Sequence, residues 1–273
     1  MIARLGTIGG LASKAASRTL IAVVAGVVLL AGAGCAGRDG ADPGSSASPD
    51  AEESYPLAAP PDGGEVRVVD KGFSAGEKDG KPVVSYGVVV ENTSGWVAYL
   101  AAVSVRMVDG GGETIEDTVS GTVGDGGADG AVVRDVRAIM PGTQAVLGNS
   151  TFVGAEGIAD LEVTVDGVQW FPVENDEHEF AELTASDVRT TWGEGRETAT
   201  LDYTVNSGYS GELEKVWAEA VFRNGEGVIV GGTHPSGTVA GVHGPGASPG
   251  QIDVVGWVPS DVDDARTVVY LYP

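Results

Sequence analysis

The sequence predicts an all-β protein built as two antiparallel β-sandwiches in tandem. Three observations carry that expectation. From Glu65 onward apolar and polar residues alternate with period two, the signature of a strand with one buried face. Turn signals such as Asp109-Gly110, Asp166-Gly167 and Asn224-Gly225 separate the alternating runs at short intervals. Glycine supplies 43 of 273 residues, about twice ordinary usage, and each glycine inside a helix costs about 1 kcal/mol against alanine.

The first 34 residues read differently. They hold Arg4, Lys14 and Arg18 and no acid, and the run from Leu20 to Ala33 is uncharged and almost wholly apolar. A basic start, an apolar stretch and small residues before a cleavage point make an export signal, here expected as a signal helix over 1–34. The run is shorter than the ~20 residues that comfortably span a bilayer. It ends in Leu29-Leu30-Ala31-Gly32-Ala33-Gly34-Cys35, which resembles the lipobox of bacterial lipoproteins. The resemblance implies that Cys35 is lipidated, with palmitate among its acyl chains, and becomes the new N-terminus. Gly32 departs from the leucine usual at that position. Cys35 is the chain's single cysteine, so an intramolecular disulfide is excluded.

Residues 35–64 are rich in Gly, Ala, Ser, Pro and Asp, with Tyr55 and Leu57 as the only large apolar side chains. Such a segment buries too little surface to offset its chain entropy and is expected to be a disordered tether.

Two similar halves follow, expected as sandwiches over 65–175 and 180–273. Tyr86, Val88 and Val90 share one strand face, as do Val103, Val105 and Met107, and then Leu161, Val163 and Val165. In the second half Leu201, Tyr203 and Val205 form one such set and Ala218, Ala220 and Phe222 another. The order of features repeats. A strand ends in Asn92, then in Asn206; a second strand runs into Asp109-Gly110, then Asn224-Gly225. A third element begins at Pro141-Gly142, then Pro249-Gly250, and a last strand covers 161–170, then 265–273. This shared order points to duplication.

The repeated order resembles the small immunoglobulin-like β-sandwich domains found in tandem on bacterial lipoproteins, including the FxLYD type. Their signature is a strand, N-x-S/T, a second strand, D/N-x-x-G and then P-G. The F-x-L-Y-D string itself is missing, and the C-terminus reads Tyr270-Leu271-Tyr272-Pro273. The resemblance implies an immunoglobulin-like fold and an extracytoplasmic place; it implies no catalytic residues.

Charge and motif content narrow the function. The chain carries 39 acidic and 16 basic residues, net −23, the wrong sign for a nucleic-acid binder. Loss of the three basic residues before Cys35 would leave a net −26. The histidines are His178, His234 and His243, and no HExxH, G-x-S-x-G or P-loop string accompanies them. Acidic groups at Asp125 and Asp129, at Asp261 to Asp264 and at Glu174 to Glu179 lack EF-hand spacing and read as solvated surface. Trp170, Phe171 and Trp257 are expected in cores. Trp96 and Tyr99, and Tyr209 at the matching loop of the second half, are the candidates for partner contact, since Trp and Tyr dominate interface hot spots.

The leading expectation is therefore a lipid-anchored, non-catalytic binding or scaffolding protein at the outer face of the cell membrane. Its partners would be the membrane, through the lipid, and an envelope protein or glycan, with no nucleic acid, no metal and no cofactor. A second expectation is an accessory or sensory lipoprotein that holds a small ligand or metal between its domains. A third is a cell-wall-modifying enzyme, against which the missing motifs weigh.

Overall fold

A computed structural model of the chain describes residues 55–115, 131–153, 157–176, 178–193, 198–234, 238–239, 241–254 and 256–273. The expected signal, Cys35, most of the tether and the Asp125–Asp129 loop lie outside them. The described residues form strands and no α-helix. In the first half these are β1 (Val66–Lys78), β2 (Lys81–Asn92), β3 (Val97–Tyr99), β4 (Ala101–Asp109), β5 (Val132–Val136), β6 (Gln144–Phe152), β7 (Ile158–Asp166) and β8 (Gln169–Phe171). The second half contains β9 (Leu183–Trp192), β10 (Ala199–Ser207), β11 (Trp217–Arg223), β12 (Ile229–Thr233), β13 (Gly246–Val254) and β14 (Val268–Tyr272).

The expected duplication has a counterpart in strand order. The first half pairs its strands as β1-β2-β6 and β5-β4-β7, with β3-β8 as a short extra ladder. The second half repeats this as β9-β10-β13 and β12-β11-β14, joined into one six-stranded sheet by the single pair Tyr270 and Thr184. All the long ladders are antiparallel. Each half encloses its own apolar core. Val84, Tyr86, Val88 and Val90 meet Val103, Val105, Met107 and Leu161 in the first. Leu201, Tyr203 and Val205 meet Ala218, Ala220 and Phe222 in the second.

The two asparagines that mark the repeat do different work. Asn92 is wholly buried: its amide donates to the carbonyls of Trp96 and Ile139, and its oxygen accepts from the backbone and hydroxyl of Ser94. Asn206 is half-exposed and bonds the Ser186 hydroxyl. The buried counterpart of Asn92 is its neighbour Ser207, the last residue of β10, whose hydroxyl accepts from the Tyr209 amide. The repeat is therefore offset by one residue at this point. Pro249 sits inside β13, which is possible because β13 is an edge strand and needs no donor on its outer side.

The tether differs from expectation at its C-terminal end. Leu57 exchanges two backbone bonds with Trp170, at 3.0 and 3.1 Å. The Asp62 carboxylate accepts from the amides of Gly64 and Gly95. Tyr55 lies against the rings of Trp96 and Phe171. The two large apolar side chains of this stretch are thus the ones that fasten it.

The halves meet face to face, and contacts join them into one compact unit, Glu52–Pro273. Val83 to Val90 of β2 are buried without interruption, because both faces of the strand are covered. Ser85, Gly87 and Val89 point away from the first core. Val89 and Val146 pack on Val221 and Ile229 of the second half. The Ser85 hydroxyl accepts from the Gly232 amide and donates to its carbonyl. Arg223 reaches Asp70 at 2.6 Å, and the Trp257 amide donates to the Ser150 hydroxyl.

Glycine makes this approach possible. A Cβ on Gly87 would lie 2.8 Å from the Gly231 carbonyl oxygen, and one on Gly148 would collide with the Ala220 carbonyl and the Thr233 amide. Gly148→Ala is expected to destabilise the protein by about 1–3 kcal/mol through overpacking against backbone. Gly110→Ala, at a turn with open space around it, is expected to stay within about 0.5 kcal/mol of the wild type. Urea unfolding of the two variants measures the contrast. Asn92→Ala is expected to cost about 3 kcal/mol, because it strips buried carbonyls and amides of their partners, against less than about 0.5 kcal/mol for Asn206→Ala.

Candidate functional site

The candidate aromatics do not form one exposed patch. Tyr209 is buried in the second core, its phenol held up in pKa first by that burial and further by the Glu179 carboxylate and the Tyr99 phenol. Trp96 is half-buried on the first core. Tyr99 is half-buried and joins a ring cluster that the segment between the halves completes. Its ring stacks on His178 at 6.0 Å, and Phe171 and Phe180 meet both. This cluster fills the passage from β8 to β9. His178 and Phe180 could have been paired with Tyr99 only by knowing that β3 and β8 are neighbours.

The acidic groups have local work to do. Asp263 caps a short 3-10 turn, Asp264–Arg266, by accepting from the Ala265 amide, and Asp264 accepts from the Thr190 amide. Glu179 accepts from the Ser210 amide. Among the described residues no group of three or more His, Cys, Asp or Glu could hold a metal ion.

The histidines are dispersed. His243 is buried, with Nδ1 at 2.8 Å from the Ser248 hydroxyl. Its Nε2 is buried with no hydrogen-bond partner among the described residues. Burial lowers its pKa, which favours the neutral ring. His234 sits beside Arg134; burial first, and then that guanidinium, push its pKa down to about 4.

A buried polar cluster spans the seam. Glu219 of β11 is the only acid among the fully buried polar residues described. Its carboxylate accepts from the Gly148 amide of the first half at 3.1 Å, lies 3.7 Å from Arg134, and meets the Tyr272 hydroxyl at 3.5 Å. Desolvation outweighs those three favourable contacts and raises its pKa to about 7. Sequence reasoning missed Glu219, which reads as the polar member of an alternating strand. Two of its three polar partners, Gly148 and Arg134, belong to the other half.

Beside this cluster the seam opens into a cleft of about 300 Å³. Val89, Met140 and Val146 of the first half form one wall, and Leu183, Thr184 and Tyr270 contribute to the other. The Tyr270 hydroxyl donates to the Arg137 and Ala138 carbonyls and fixes the corner between them. The lining is largely apolar and includes Thr143, Gln144, Glu182, Thr184 and Arg223. No protein-family model, curated protein or solved structure matches this chain. No helix among the described residues is long and apolar enough to cross a membrane.

The two shifted groups at the seam act on stability in opposite directions. Glu219 is raised from its ordinary 4.5 to about 7, so its contribution is full below pH 4.5 and is lost as pH rises through 7. His234 is lowered from 6.5 to about 4, so its contribution is full above pH 6.5 and is lost as pH falls through 4. Between about pH 4.5 and 6.5 the two slopes oppose each other. Glu219→Gln is therefore expected to gain stability relative to the wild type by on the order of 3 kcal/mol as pH rises from 4.5 to 7.5. His234→Asn is expected to show the reverse trend, smaller because the ring is only half-buried. Urea midpoints across that pH range, taken as differences from the wild type, read both.

Proposed function

We propose that the chain is a lipid-anchored extracytoplasmic protein with a non-catalytic binding role at the outer face of the cell membrane. The observation that carries the anchor is Cys35, the chain's single cysteine, placed directly after an apolar export-type run that a basic segment precedes. The binding role is supported by a cleft at the seam between the packed halves, lined largely by apolar residues.

Attachment rests on buried acyl chains, at about 0.8 kcal/mol per CH₂, because a strongly acidic chain gains nothing from anionic headgroups. Cys35→Ala is expected to abolish palmitate labelling and to move the protein from the membrane fraction into the soluble fraction. Washing wild-type membranes with 1 M salt is expected to release none of it. Membrane retention of Cys35→Ala would sink the reading.

A further inference from the structure

We propose that Asn224 is a site of self-modification: in the folded chain its side-chain amide is lost to water through a cyclic imide with Gly225, leaving aspartate at position 224. This chemistry needs neither the anchor nor a bound ligand.

The sequence supplies the reacting pair. The chain has five asparagines, Asn92, Asn149, Asn175, Asn206 and Asn224, and only Asn224 precedes a glycine. Glycine has no Cβ to crowd its own amide nitrogen. In the first step the Gly225 nitrogen attacks the side-chain carbonyl carbon of Asn224. An N–C bond forms and closes a five-membered ring, the bond to Nδ2 breaks, and Nδ2 leaves as ammonia with the Gly225 amide proton. In the second step water opens the ring. Its oxygen joins the same carbon, the N–C bond breaks, and one proton returns to the Gly225 nitrogen. The sum is amide plus water giving carboxylate plus ammonium.

The fold holds that pair in a suitable state. Oδ1 of Asn224 accepts from the Glu226 amide at 3.1 Å and the Val228 amide at 3.0 Å. Negative charge grows on this oxygen in both steps, and amides fixed around such an oxygen stabilise the charge. Nδ2, the leaving group, and the Gly225 amide, the nucleophile, make no hydrogen bond among the described residues. Gly225 itself is exposed to water.

The first half already carries the product. Asp109 stands at the matching turn, followed by Gly110. Its Oδ1 accepts from the Gly111 and Glu113 amides at 2.8 and 2.9 Å, the same offsets along the chain as Glu226 and Val228 from Asn224. The backbone bonds coincide as well. The Asp109 amide donates to the Glu113 carbonyl and the Gly112 amide to the Asp109 carbonyl, as Asn224 does to Val228 and Gly227 to Asn224. Each turn also has a glycine at positive φ, Gly112 at 81° and Gly227 at 87°. One turn thus holds an amide and its twin a carboxylate, and the carboxylate is the stronger acceptor for both amides.

Mass spectrometry of the full-length protein in neutral detergent tests this. The folded protein is held in mildly alkaline water enriched in oxygen-18 and digested in ordinary water, so that amide lost during the incubation is labelled. The peptide spanning position 224 is read before and after. Aspartate is expected there, forming at least about tenfold faster than at the other four asparagines and no slower than in the end-blocked peptide Arg-Asn-Gly-Glu-Gly-Val. Gly225→Ala, whose Cβ meets nothing within 4 Å, is expected to slow the conversion about tenfold while the melting temperature stays within about 2 °C. Asp109→Asn, which sets the same pair into the first half's turn, is expected to revert to aspartate. Asn224→Asp is expected to melt no lower than the unmodified protein. An amide intact at position 224 throughout, faster loss in the free peptide than in the fold, isoaspartate in place of aspartate, no reversion of Asp109→Asn, or a lower melting temperature for Asn224→Asp each overturns the proposal.

Discussion

The distance between two backbones governs this molecule. Packed sheets usually sit about 10 Å apart with side chains interdigitating between them. At Gly87 and Gly148 there is no side chain to interdigitate, and carbonyls of the opposite half occupy the space a Cβ would need. Several other features depend on that approach. It buries β2 on both faces. It brings the Gly148 amide within reach of Glu219 and excludes the water that would otherwise keep that carboxylate acidic. Beyond the glycines Val89 and Val146 fill the seam against Val221 and Ile229, and they also line the cleft beside it.

Much of the fold was legible. The alternating sets at 86–90, 103–107, 161–165, 201–205 and 218–222 all fall on strands, because each strand turns one face to a core and period two records that directly. The repeated order of features also survives, as a repeated order of strands. The seam was written more faintly. Val88, Val89 and Val90 are consecutive valines, and an unbroken apolar run in a strand is the mark of burial on both sides. The glycines were harder still. A glycine in a turn and a glycine under a foreign carbonyl look the same in a sequence, and only the partner half distinguishes Gly110 from Gly148. The candidate aromatics mixed two fates for the same reason. Tyr99 and Tyr209 follow matching strands, yet β3 and β8 border one while the second core closes over the other.

The acidic bias takes on more than one meaning once the side chains are placed. Asp62 and Asp109 hold backbone amides, which keeps their carboxyls below the usual range; for Asp160 the Lys71 ammonium does so first and the Leu161 amide second. Glu91 pairs with Arg67 on the open surface, where such bridges contribute little. Among the described acids with a shifted pKa, Glu219 runs the other way, its pKa raised to about 7 by burial. One composition figure therefore covers turn-builders, solvated surface and one buried acid at the seam.

The fastening of Leu57 to Trp170 has a mechanical consequence. Ahead of β1 the described chain is already tied to the folded unit, by an isolated bridge of two hydrogen bonds at Leu57 beside the Tyr55, Trp96 and Phe171 rings. A pull arriving from the N-terminal side loads that bridge before it loads the sheet. Two bonds in one rung yield long before the ladder of β1 and β2, which runs from Val66 to Lys78. Release of the bridge frees the chain as far as Asp62, whose carboxylate holds the Gly95 amide, about five residues or roughly 17 Å of extended chain, while the β1–β2 ladder stays intact. The stretch from Tyr55 to Asp62 thus takes up tension before it reaches the sheet.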